Sequence, residues 1–167
     1  MDQKGQGGED ASSSTSSISL SGYTNAEGKL GSSSNKSYSD FYANTTKQLL
    51  TATIVSSASS IVIVCTYTTT NSTACIYTRD DDEDGSCSVD IGIYGTTGTY
   101  ALMIDNSGCT RYSGVTLSNS GFTYTSIESI ESKKTYTLND YATGGIWYEN
   151  DDTNDQPAVL VAVYVKN

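Results

Sequence analysis

The sequence predicts an all-β protein, an antiparallel β-sandwich preceded by a Gly/Ser/acid-rich N-terminal arm. Three observations carry this. Tyrosine dominates the aromatics, 13 Tyr against 2 Phe and 1 Trp, and serine and threonine dominate the polar residues. Thr and Tyr suit strands, where one end of the side chain stays wet. Short strand-like runs recur at spacings of roughly ten residues, broken by Gly, Asn and Asp, the signature of a sandwich or barrel. A single proline in the chain also leaves ladders free to form.

The length of 167 residues and mass of 17.7 kDa suit one domain over 17–167 with an arm over 1–16. Met1 to Ser16 offer little apolar area to bury, so the arm is either a disordered tail or a segment ordered by a neighbouring subunit. The strand-like runs then fall at 17–23, 37–42, 48–56, 60–69, 72–79, 86–94, 98–105, 111–118, 121–126, 134–138, 144–149 and 158–166. In the fourth, Ile61, Ile63, Cys65 and Tyr67 share one face while Val62 and Val64 share the other. Both faces are apolar, which predicts a central, doubly buried strand. In 87–93, Cys87, Val89, Ile91 and Ile93 alternate with Ser88, Asp90 and Gly92, which predicts one buried and one wet face. Ser126 to Glu131 spaces its isoleucines by three, so one helical turn competes there with strand. Ala158 to Val165 is apolar throughout and follows Pro157, so this run must insert into a sheet, in this subunit or another.

The net charge of -10 and pI near 4.1 argue against nucleic acid and membrane surfaces as partners, because an acidic surface repels phosphates and anionic lipid. Cations, basic surfaces and neutral glycans fit better. No apolar segment follows Met1 as in a signal peptide, and no run approaches a membrane span. The expectation is a protein made and used without secretion, such as a virion component, or one whose signal was removed.

The most pointed local pattern is Asp80-x-Asp82-x-Asp84-Gly85. Calcium takes six to eight oxygens, and alternate carboxylates on a tight loop converge on one point. Asp80, Asp82 and Asp84 supply side-chain oxygens, Gly85 the turn and Ser86 a backbone carbonyl. Ile91 stands where a helix-loop-helix calcium site needs its closing Glu, so that site is excluded. In a β context the shell closes only if Asp90 or the second acidic loop, Asp151 to Asp155, comes within reach. The competing reading is a solvated hairpin tip whose acids keep a sheet edge soluble.

The chain lacks histidine and any Cys-x-x-Cys, so a zinc site is not expected. A hairpin over 61–79 would set Cys65 opposite Cys75, as a bridge or as buried thiols, leaving Cys87 and Cys109 as the other pair. Disulfides would indicate secretion and reduced thiols assembly in a cytoplasm. Trp147 and Tyr148, beside Gly144-Gly145 and Asn150, form a candidate sugar platform, with the alternative that the single Trp is a core residue. Tyr94, Tyr100, Tyr112 and Tyr124 are weaker candidates of the same kind.

No enzyme is expected. A Ser-His-Asp arrangement is impossible without histidine. Glu128, Glu131 and Glu149 are the carboxylates a glycosidase would need, and nothing in the sequence sets two of them across a cleft.

Gly22-Tyr23-Thr24-Asn25-Ala26-Glu27-Gly28, followed by a polar stretch and Tyr38-Ser39-Asp40-Phe41, resembles the opening of jelly-roll, galactose-binding-like β-sandwich modules. Such modules occur in phage tail and fibre proteins and in gut bacterial surface proteins. Ile61 to Tyr67 and Gly98 to Ile104 sit where those modules place central and closing strands. The likeness covers roughly residues 20–106 and lacks the family's usual proline-containing segments. It implies a jelly-roll-like sandwich that binds or attaches, usually to glycans, with no catalytic residue.

The leading expectation is therefore a non-enzymatic virion surface, fibre or decoration protein, located on the virion or outside cells. Its partners are copies of itself, other assembly subunits and host glycans. A secreted carbohydrate-binding module with structural Ca2+ comes second, and a bacterial adhesin or filament subunit third.

Overall fold

The computed structural model describes residues 15–32, 34, 36–41, 45–68, 74–79, 87–90, 97–128, 136–150 and 158–167, with the side chains of 87–90, 128 and 150 outside that description. In chain order the strands are β1 (Ser16–Ser19), β2 (Thr24–Asn25), β3 (Thr45–Leu50), β4 (Ser60–Tyr67), β5 (Cys75–Thr78), β6 (Cys87–Asp90) and β7 (Gly98–Asp105). They continue as β8 (Cys109–Ser113), β9 (Thr116–Leu117), β10 (Gly121–Tyr124), β11 (Ser126–Glu128), β12 (Ile146–Asn150) and β13 (Ala158–Lys166). One short helix, α1 (Ala52–Ser57), and 3-10 turns at Tyr38–Phe41 and Leu138–Tyr141 interrupt them.

Among the described residues all pairings are antiparallel, in three sheets. A six-stranded sheet runs β11-β8-β7-β4-β13-β2 and a four-stranded sheet runs β3-β12-β5-β6. Taking β2 to β7 with β12 and β13 as a core, the outermost strands in sequence lie side by side and the chain passes repeatedly between sheets. That is the strand order of a jelly roll. The segment β8 to β11 is an insertion into it. β8 and β11 widen the larger sheet, while β9 and β10 join β1 in a three-stranded cover.

The main core lies between the six- and four-stranded sheets. Ile61, Ile63, Cys65 and Tyr67 of β4 meet Leu49, Leu50, Ile76, Ile146 and Tyr148 there. The other face of β4 presents Val62 and Val64 to a second core with Ala101, Tyr112, Phe122 and Ala162, which Ile18 and Leu117 help to close. The double burial of β4 is thus as the sequence predicts. Its cause is the third layer, which gives the back of the sheet something apolar to meet. Within that layer Tyr112 packs edge-on to Phe122 at 5.4 Å and against Tyr124 at 4.7 Å.

β13 inserts between β4 and β2 of the same chain. A register shift between Leu160 and Ala162 reverses its alternation. Ala158 and Leu160 face the main core before the shift, Val163 and Val165 after it, and Ala162 faces the second. One strand thereby serves both cores along its length.

Several expectations are corrected. In the run 37–42, Tyr38–Phe41 is a 3-10 turn, because the Ser37 N–H donates to Asp40 Oδ2 at 3.0 Å and closes it, and residue 42 lies outside the described residues. Of the run 134–138, residues 134 and 135 lie outside the described residues, and a 3-10 turn begins at Leu138, where the Thr137 N–H donates to Asp140 Oδ2 at 2.9 Å. The run 48–56 splits at Thr51, whose hydroxyl accepts from the Ile54 N–H and starts α1. The run 17–23 ends as strand at Ser19, and a turn carries Gly22 at φ +86 before β2. Of the arm, Ser16 is already strand, opposite Tyr124, and residues 1–14 lie outside the described residues. Ser126–Glu128 is strand.

The 61–79 hairpin is not formed. β4 and β5 belong to opposite sheets, and Cys65 stands opposite Tyr100 and Leu160. What joins the sheets there is Tyr67, whose buried hydroxyl accepts from the Ala74 N–H at 2.7 Å. Cys65 is a buried, unbridged thiol with Sγ 3.7 Å from the Tyr148 hydroxyl, and Cys87's side chain lies outside the described residues.

Burial pushes the Cys65 thiol from 9.0 up to about 12. Burial likewise raises Tyr38 from 10.0 to about 12, although its hydrogen bonds to Val163 oppose the shift. In the unfolded chain both groups ionise at their ordinary values, so above about pH 9 the unfolded state sheds protons that the folded state keeps. Stability contributed by these groups is therefore complete below pH 9 and declines as pH climbs towards 12. Urea midpoints are expected to fall between about pH 8 and about pH 10.5. An unchanged midpoint would show that neither group is protected.

Candidate functional site

The outer face of the four-stranded sheet collects the polar-aromatic residues. Register sets Gln48 of β3, Trp147 of β12 and Tyr77 of β5 in one cross-strand row, and Thr46, Glu149 and Cys75 in the next. Trp147 is half-buried and points outward, and its indole N–H donates to the Gly144 carbonyl at 3.0 Å. The Gln48 amide donates to the same carbonyl at 3.2 Å. The Arg79 guanidinium lies 4.6 Å from the indole centroid, a cation–π stack. It also sits beside the Tyr77 hydroxyl. Burial raises the Tyr77 phenol above 10.0, Arg79 pulls it back, and Glu149 pushes it up again.

The Gly144-Gly145 turn makes this arrangement possible. A Cβ on Gly144 would press into the Arg79 carbonyl, and one on Gly145 into the Leu50 carbonyl. Gly145 also has φ +78. Two bare residues therefore let β12 enter between β3 and β5.

Tyr148 is a correction to the sequence reading. It points into the main core, fully buried, edge-on to Phe41 at 6.1 Å, so its ring face is closed to any sugar. Alternation along β12 dictates this, since Trp147 and Tyr148 take opposite faces. Asn150 pairs through its backbone with Thr45, and its side chain lies outside the described residues. Tyr100 and Tyr112 are buried as well, Tyr124 is half-buried beside Tyr112, and Tyr94 lies outside the described residues. Arg79, Tyr77 and Gln48, which escaped the sequence reading, surround Trp147 instead. Cross-strand register brings Gln48 and Tyr77 there, and sequence spacing does not reveal register.

Asp80, Asp82, Asp84 and Ser86 all lie outside the described residues, as does Asp151 to Asp155. Among the described residues no group of three or more Cys, Asp or Glu could hold a metal ion. Glu128 and Glu149 lie in different sheets, and Glu131 lies outside the described residues. No described helix is long and apolar enough to cross a membrane.

Beneath the turn, the Thr78 hydroxyl is buried with no hydrogen-bond partner among the described residues. A buried unsatisfied hydroxyl costs about 1–3 kcal/mol, and valine has nearly its shape. Thr78→Val is therefore expected to raise stability by about 1 kcal/mol. A loss of stability on denaturant titration would mean that the hydroxyl is satisfied after all.

No protein-family model matches the chain, and neither the curated proteins nor the solved structures yield a match.

Proposed function

We propose that the chain is a non-enzymatic virion surface, fibre or decoration protein that assembles with copies of itself or other subunits and attaches to host glycans. The observation that carries this reading is the jelly-roll order of the eight core strands, an architecture used by viral capsid and lectin domains. Fold alone does not choose a function, so two further features matter. Cys65 is a buried thiol, as suits a protein assembled in a reducing compartment. Trp147 stands half-exposed among Arg79, Gln48 and Glu149, polar groups that suit the hydroxyls of a sugar. An acidic surface favours neutral glycans over anionic ones.

Light scattering on the purified chain tests the reading, with a species larger than the 17.7 kDa monomer expected. Glycan-array binding that drops with Trp147→Ala is the second expected result. A compact monomer with intramolecular disulfides would sink the proposal in favour of a secreted carbohydrate-binding module. Structural calcium through Asp80, Asp82, Asp84 and Ser86 belongs to that competing reading. It requires the melting temperature to rise from chelator to millimolar calcium.

A further inference from the structure

We propose that a shallow cleft at one end of the sandwich is a second carbohydrate site, shaped for one neutral pyranose ring. The inference rests on the attachment reading above. The cleft has a volume of about 240 Å³. Its accessible apolar surface comes from Ala58 and Ala142, each half-buried, beside the buried Val55 and Leu138. Its rim is polar, made by Ser56, Asn106 and Asn139.

Three physical points select the ligand class. Drug-sized pockets run to roughly 300–1,000 Å³, so this one takes a single ring and no larger body. No lining residue is ionisable, although the chain carries a net charge of -10, so a neutral ligand meets no desolvated charge. An apolar floor with amides above it matches a ring that has a C–H face and hydroxyl edges. Each amide offers donors and an acceptor, as vicinal hydroxyls require.

The turns that carry the two amides are closed by hydrogen bonds. Asn106 follows Asp105, whose Oδ1 accepts from the Ser107 N–H at 2.8 Å, the Ser107 hydroxyl at 2.8 Å and the Gly108 N–H at 3.0 Å. Asn139 sits inside the turn closed by Thr137 and Asp140. The Ser56 hydroxyl donates to the Ala142 carbonyl at 3.3 Å and ties the two walls together. Among the described residues no protein group engages either Asn side chain. Both amides are exposed and open to a ligand, and the hydrogen-bonded turns that carry them hold their backbones in place. Such a small site binds weakly alone, and an assembly of many copies converts weak contacts into avidity.

The test titrates glucose, galactose, mannose and N-acetylglucosamine separately into the full isotope-labelled chain, reading amide and indole chemical shifts. At least one sugar is expected to shift Val55, Ala58, Asn106 and Ala142 saturably. Asn106→Ala with Asn139→Ala should weaken that binding about tenfold, since two hydrogen bonds are lost. Both residues are exposed, so the double variant keeps its fold, and Ala58→Leu, which fills the floor, provides an independent block. Saturable shifts confined to the Trp147 indole and Gln48 would overturn this site while leaving the attachment reading standing. No shift with any sugar overturns the site, and light scattering then reports separately on assembly.

Discussion

Gly145→Ala is expected to destabilise the protein by about 2–5 kcal/mol, combining a left-handed backbone with a steric clash. Gly145 has φ +78, and its missing Cβ is what lets the Leu50 carbonyl approach. Gly28 supplies the control. It has φ +91 but nothing within 4 Å of its would-be Cβ, so Gly28→Ala should lose only the backbone part, about 1–2 kcal/mol. Denaturant titration of the two variants separates the terms. Equal losses would show that the close approach at Gly145 adds nothing. Because the Gly144 carbonyl holds the Trp147 indole, Gly145→Ala should also shift tryptophan emission, and Trp147 is the sole reporter in the chain.

The second large effect concerns β4. Ile63→Ala should lose about 2–5 kcal/mol and Val64→Ala about 2 kcal/mol. The two residues are adjacent and face opposite ways, Ile63 into the main core and Val64 into the second. In a strand with one wet face, one of the pair would be silent. A silent Val64→Ala would therefore mean that the three-stranded cover of β1, β9 and β10 does not seal the back of the sheet. Both variants can be followed by thermal melting, with attention to whether one transition or two is seen.

The parts of the fold that the sequence displays are those where burial is written into alternation. β4, β7 and β13 begin where their apolar runs begin, and the two faces of β4 are visible in Ile61 to Tyr67. Two of the missed turns also had a visible signal. Ser37 with Asp40, and Thr137 with Asp140, repeat one hydroxyl-x-x-Asp spacing, a capping pattern set among strand-forming Tyr and Thr that mask it. Sheet membership was not legible. β4 and β5 are close in sequence and look like a hairpin, yet the chain crosses between sheets there, and only long-range pairing decides that. The candidate site shows the same division. Trp147 was recognisable as a single exposed-or-core choice, whereas the Arg79 stack and the Tyr77–Gln48 row depend on which strands flank β12.

The place of β13 has a further consequence during synthesis. It is the latest of the described strands to emerge from a ribosome, yet it sits inside the larger sheet, contacting β2 on one side and β4 on the other. Until it arrives, β4 presents an unpaired edge to solvent with apolar residues above and below it. The nascent protein must therefore wait, sheltered or at risk of aggregation, for a late and long-range closure. Such closures are slow. Stalling translation just before residue 158 should leave a chain that binds chaperones, and release through residue 166 should free it.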